Sequence, residues 1–329
     1  MTASVHPPLI VILGPTASGK TDLAVDLAKE FNGEIVNADS RQIYKEIDIA
    51  SSKPKFENWK LKIGNYQGIP HHLFNIVKPN EDFNVTHFQA RAFQTIDDIL
   101  TRKKLPFLVG GTGLWISAVV DNFEFPYVPP NKELRKHYPC HPEPDEGDKY
   151  PNTTMLRQAQ HDNSTQQLYE ELVVKDPDAA AFINAHNRRR IMRALEVMKA
   201  TGKSFSAQRK KREPRYRTLL LGVTLPMETL EKRIALRLDA MMRDGLLEES
   251  KRLLETYNHR LPALSSISLR EWKSYFNGKQ TLPETLALIR LHNRQYAKRQ
   301  MTWFKKDKRI CWIKNKDEAE NLIHSFLHP

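Results

Sequence analysis

Cysteine is nearly absent. Only Cys140 and Cys311 occur in 329 residues, far apart and without metal-ligand spacing. That excludes a readable disulfide framework or zinc site. No apolar run approaches the ~20 residues that a membrane-spanning helix needs. The first apolar run, Leu9–Leu13, is short and lacks a basic leader, so no secretory signal is expected. Acidic charge is in deficit as well. Lys plus Arg number 51 against 39 Asp plus Glu, a formal net charge of +12. A basic surface suits a polyanionic partner, because each Lys or Arg on a phosphate releases counterions. Charge alone does not separate this from a merely basic soluble protein. The expectation is a cytoplasmic chain, long enough for a large core and two lobes.

What is present begins with one octapeptide, Gly14-Pro15-Thr16-Ala17-Ser18-Gly19-Lys20-Thr21. It fits G-x-x-x-x-G-K-[ST] at every fixed position. Leu9–Leu13 leads into it as a buried strand. Leu23, Ala24, Leu27, Ala28 and Phe31 follow on one helical face. Strand, glycine loop and helix are the context in which such a loop binds a phosphate chain, its amides pointing inward beside a positive helix N-terminus. Lys20 would neutralise phosphate charge, and the Thr21 hydroxyl would sit on Mg2+.

A phosphate cradle does not name a reaction. ATPases of this class carry an acid at the end of a second apolar strand. Phe107-Leu108-Val109 runs instead into Gly110-Gly111-Thr112-Gly113, and Leu219–Val223 into Thr224-Leu225-Pro226. The well-placed acid is Asp39, directly after Glu34–Ala38. Ligands bind at the carboxyl ends of strands in parallel α/β sheets, which puts Thr16, Asp39 and Thr112 at one mouth. Asp39 there could take a proton from an acceptor or hold Mg2+ through water. It could also simply cap the next helix.

These segments, with Asp39-Ser40-Arg41-Gln42-Ile43-Tyr44, Lys53-Pro54, Pro70-His71-His72-Leu73, Arg190–Val197 and Arg294–Phe304, resemble the tRNA dimethylallyltransferases. The motifs stand in that family's order from residue 9 to about 313. The resemblance implies transfer of a dimethylallyl group from dimethylallyl diphosphate to N6 of an adenosine beside the tRNA anticodon. It implies a P-loop NTPase-like open parallel sheet flanked by helices, with an inserted, mainly helical tRNA-binding domain. It implies diphosphate binding by Gly14, Thr16, Ala17, Ser18, Gly19, Lys20, Thr21 and Arg237, with Mg2+ at Thr21. Asp39, Thr16 and Arg237 would be catalytic. The anticodon stem-loop would be held by Asp39, Ser40, Arg41, Gln42, Thr112, Arg135, Arg189, Arg190, Ile191, Met192 and Arg193. Eukaryotic relatives often end in a zinc finger; none is seen here, so the bacterial form is expected, as a monomer. Two departures stand out. The family commonly has Ile-Gly-Tyr where this chain has Ile267-Ser268-Leu269, and Tyr where it has Trp115.

The order of segments gives three regions. Residues 1–122 alternate strand and helix. Residues 123–216 form an insertion whose stretch 138–165, proline-rich and without apolar period, reads as a long or disordered loop. Residues 217–329 return to the core, with a strand at 218–225, helices at 227–244 and 284–305, and a last strand at 309–313. Within the insertion, arginines cluster at the start of the 187–198 helix. That placement opposes the helix dipole unless anions are present. A solvated basic face is the competing reading, and the run Arg209-Lys210-Lys211-Arg212 fits RNA contact or a linker equally. Arg233 and Arg237 share a helix face and repel unless an anion joins them. Other readings fit the cradle: prenyl transfer to a free adenine nucleotide, a small-molecule kinase, or a non-catalytic nucleic-acid-binding NTPase. The insertion with its arginines favours tRNA over a nucleotide acceptor, and the missing second-strand acid disfavours a kinase.

Overall fold

The computed structural model describes residues 6–60, 63–126, 128–129, 131, 135, 164–208 and 210–328. The chain divides into two compact units. The first is Met1–Asn122 with Glu213–Pro329, and the second is Phe123–Arg212, ending short of residue 216.

The first unit is built on one sheet in the order β3-β4-β5-β2-β6-β1-β7-β8. The strands are β1 (Pro8–Leu13), β2 (Gly33–Asn37), β3 (Asn58–Lys60), β4 (Ile63–Tyr66), β5 (Ile69–His72), β6 (Leu105–Gly110), β7 (Arg217–Val223) and β8 (Cys311–Ile313). From β5 to β8 all pairings are parallel. The sheet is thus mostly parallel, as expected, and β3, β4 and β5 add an antiparallel edge. The reason is local. Gln67 and Gly68 have φ of 51° and 79°, and two such residues make the tight hairpin turn that reverses the chain. A parallel crossover needs a far longer connection.

Leu9–Leu13 are at most 1% exposed, as a central strand covered on both faces requires. One face packs on α1 (Lys20–Glu30) and a terminal helix, Lys316–Leu327, which the sequence pattern did not reveal. The other face carries α2 (Val85–Thr101), α3 (Gly113–Val120) and the helices after β7. Met227–Arg243 keeps the expected period, burying Leu230, Ile234, Leu238 and Met241. Leu246–Thr256 and Leu282–Phe304 follow, the latter started by a Thr281–Glu284 capping box.

The second unit holds α4 (164–175), α5 (Pro177–Phe182) and α6 (Arg188–Thr201). Leu168, Leu172, Ile183, Ile191 and Leu195 form its own core. Asp176 ties it together, accepting from Ala179 N and from Ser206 N and Oγ. Of the stretch expected to be a disordered loop, residues 138–163 lie outside the described residues. Ser164 and Thr165 already belong to α4, where their hydroxyls accept from buried Arg188. In chain order the remaining helices are α7 (Met227–Arg243), α8 (Leu246–Thr256), α9 (Ile267–Arg270), α10 (Trp272–Phe276), α11 (Leu282–Phe304) and α12 (Lys316–Leu327).

Candidate active site

The loop after β1 turns on two left-handed residues, Ala17 (φ 63°) and Gly19 (φ 90°). Alternation of this kind curls a backbone into an anion-binding concavity. Gly14 is required by proximity, because a Cβ there would stand 2.4 Å from the Val223 carbonyl oxygen. Lys20 Nζ donates to Pro15 O at 3.3 Å. Burial lowers its pKa to about 8; Asp39 opposes that shift and Arg237 adds to it. The Ser18 backbone is engaged within the protein, its N–H donating to Pro15 O at 3.3 Å. Its hydroxyl is buried without a partner, in contact range of any Cβ at Gly14.

Asp39 ends the β2 segment in a tight turn. Its N–H donates to Asn37 Oδ1 and its Oδ1 accepts from Arg41 N–H, both at 2.9 Å. β6 approaches it closely, since a Cβ on Gly110 would lie 2.3 Å from Ala38 backbone. Across that approach the Thr112 hydroxyl accepts from Ser40 N–H at 3.0 Å and donates to Ser40 Oγ at 3.3 Å. The Tyr296 phenol is pushed up to about 12, by burial first and then by Asp39.

Arg237 on α7 donates to Thr16 Oγ1 at 3.3 Å and to Ser52 O at 3.5 Å. Burial lowers its pKa, and Asp39 and Asp22 work against that. Arg233, one turn earlier, donates to Ser18 O at 3.3 Å. The two arginines thus grip the phosphate loop at separate points. A cavity of about 680 Å³ joins Thr16, Lys20, Thr21, Asp39, Arg237 and Tyr296.

Arg41 and Gln42 also line that cavity, but their side chains are engaged by the protein itself. Arg41 donates to Pro262 O at 2.6 Å, and Gln42 to the carbonyls of Ser51 and Ser52. Of the two departures, Trp115 stacks on Phe88 at 4.2 Å inside the core. Leu269 is fully buried in the same core, while Ser268 lines the cavity.

Three further residues support the site, and none was singled out by its chemistry. Glu249 accepts the backbone N–H groups of Asp48, Ile49 and Ala50 at 2.8–3.0 Å. Lys53 bonds Tyr44 O, Asp48 and Asn75. Together they clamp the loop on which Gln42 and Arg237 hang. Gln300 on α11 is the third, bonded to Thr16 and Gly111. The one signal for Glu249 and Gln300 is a polar residue on the apolar face of a helix.

In the second unit, Arg189 and Arg190 are exposed on the first turn of α6, which the Asn187 side chain caps. Arg193 is half-buried, 3.6 Å from Glu196. Arg135 makes a two-pronged pair with the same buried carboxylate, at 2.6 and 2.9 Å. Ile191 and Met192 were expected to contact tRNA; instead their side chains are buried in the unit's core. Helical spacing turns them inward with Leu195 while Arg189 and Arg190 face out.

Among the described residues no three His, Cys, Asp or Glu side chains group as a metal site. Mg2+ on a phosphate chain needs only one or two protein oxygens beside phosphate and water. Thr21 at the head of α1, with Asp39 across the cavity, meets that requirement.

The IPP transferase family matches residues 42–307, and an isopentenyl transferase family matches residues 7–63. A tRNA dimethylallyltransferase from Roseiflexus sp. is 42% identical over 300 residues, 91% of this chain and 90% of that one. One from Anoxybacillus flavithermus is 38% identical, covering 97% and 95%. Among solved structures, a Bacillus halodurans tRNA isopentenylpyrophosphate transferase superposes with a TM-score of 0.66 at 33% identity, covering 98% and 95%.

Proposed function

The chain belongs to the IPP transferase family, and on that premise we propose that it is a tRNA dimethylallyltransferase. It transfers the dimethylallyl group of dimethylallyl diphosphate to N6 of the adenosine beside the anticodon and releases diphosphate. The observation that carries this reading is the single cavity holding the phosphate loop, Arg237 and Asp39.

The chemistry follows from where charge appears. Breaking the allylic C–O bond loads negative charge on diphosphate and leaves a cation-like prenyl fragment. Preorganised positive groups at the leaving group therefore supply most of the acceleration. Loop amides, Lys20 and Arg237 are those groups, and the Thr16 hydroxyl donates to the bridging oxygen. Thr21 would hold Mg2+ beside the phosphates, and the ion would supply further neutralising charge when bound. The adenine N6 is a weak nucleophile, and Asp39 takes its proton as the new C–N bond forms. The adenine must leave its stack to enter the cavity, a cost of a few kcal/mol that is smallest in a loop. Arg189, Arg190 and Arg193 hold the anticodon stem-loop through phosphates. No helix among the described residues is long and apolar enough to cross a membrane. We read the enzyme as a cytoplasmic monomer.

The test pairs labelled dimethylallyl diphosphate or ATP with tRNA or AMP. Label should pass from dimethylallyl diphosphate to tRNA alone. Transfer to AMP would make the protein a nucleotide prenyltransferase, and phosphoryl transfer from ATP would make it a kinase.

A further inference from the structure

Gln300 is a primary amide where α11 faces the core, between Ala297 and Phe304 on the same buried face. It is 6% exposed. A buried amide without partners is costly, and this one has a partner at each end. Its Oε1 accepts the Thr16 N–H at 2.9 Å, and its Nε2 donates to the Gly111 carbonyl at 2.9 Å. A backbone N–H can only donate and a carbonyl can only accept, so the two bonds fix which end of the amide is which. The fit is close. A Cβ on Gly111 would stand 2.4 Å from Nε2, so any other residue there would push the amide from this position.

Amides of a phosphate loop ordinarily point at the ligand. The Thr16 amide is committed to Gln300, and Thr16 is left to meet a ligand through its hydroxyl, to which Arg237 donates. At the other end, Gly111 precedes Thr112, whose hydroxyl holds Ser40 beside Asp39. One side chain therefore bridges the leaving-group loop and the strand end that braces the acceptor side. We propose that Gln300 is a positioning residue, fixing the Thr16 hydroxyl against the Asp39 turn. This rests on the transferase reading. Gln300 acts through Thr16 and Gly111, whereas Thr16 and Asp39 meet the reacting atoms.

Gln300→Met keeps the volume and removes both hydrogen bonds. Turnover should fall about 10- to 100-fold, the scale of a roughly 1 Å misplacement, while Kd for tRNA and for inorganic diphosphate changes by less than about 3-fold. In a Thr16→Ala background the same substitution should cost far less, because residues acting through one another are not additive. In an Arg189→Ala background it should cost the full factor. Equal losses in all backgrounds, or a loss fully accounted for by a lower folded fraction, would overturn the proposal. Hydrogen exchange gives a readout independent of activity. The Thr16 amide should be protected in the ligand-free protein and lose that protection in Gln300→Met. An unprotected Thr16 amide in the unmutated chain would also overturn it. Protection that depends on Gln300 in a chain that makes no prenylated tRNA would leave the bridge intact and remove the transferase reading.

Discussion

Arg237 in the first unit and Arg189 and Arg190 in the second are held in opposite ways. In the first, Arg237 is placed deep in a cleft, bonded to Thr16 Oγ1 and the Ser52 carbonyl, and the loop behind it is clamped by Glu249 and Lys53. In the second, Arg189 and Arg190 stand on the exposed first turn of a helix. A charge preorganised in a low-dielectric cleft gains its value when new charge develops beside it. A charge in water gains its value by releasing counterions from a polyanion, and salt weakens it. The first arrangement suits catalysis and the second suits holding a large nucleic acid.

The strongest way to break this contrast is Asp39→Asn. Turnover should drop by about 10²–10⁴-fold, as expected for loss of a general base, with diphosphate and tRNA binding retained. A near-unmutated single-turnover rate would remove Asp39 from the chemistry. Arg237→Ala should lower kcat by about 10²-fold, the scale of one missing oxyanion donor, with tRNA affinity unchanged. If tRNA affinity alone fell, Arg237 would belong with the surface arginines. Neutralising Arg189, Arg190 and Arg193 together should do the reverse, weakening tRNA binding and sparing binding of dimethylallyl diphosphate. The slope of log K against log salt should flatten by about 0.7–0.9 for each phosphate left without its arginine; an unchanged slope would make them a solvated face.

The smallest effect is in pH. With Lys20 at about 8 in the ligand-free cleft, its charge is present below that pH and lost above it. Calorimetric affinity for inorganic diphosphate should therefore fall above pH 8, by up to about tenfold per unit. Lys20→Met should bind weakly throughout and lose that component of the pH dependence. If it keeps the same profile, the ligand's own titration explains the slope.

The parts of this molecule legible in sequence are those fixed by neighbours in the chain. The phosphate loop, the buried run of β1 and the period of α7 each follow from residues a few positions apart. Asp39 is legible because a strand end is a chemical address. Gln300 and Glu249 show only as polar residues on apolar helix faces; what they bond is hidden, because their partners lie 284 and about 200 residues away. Ile191 and Met192 show the opposite failure. A motif match carries them to the RNA surface, while their helical phase turns them inward. The Gln67–Gly68 hairpin is hidden because Gln is an unusual residue at positive φ.

The strand order has one more consequence. The phosphate loop leaves β1 and Asp39 follows β2, and β6 lies between them. Neighbouring strands are spaced about 4.8 Å apart, so the two groups emerge roughly 10 Å apart across the sheet. A substrate with its leaving group in the loop and its acceptor at Asp39 must span that separation. The sheet thus works as a ruler, setting the span between the phosphate loop and the acid.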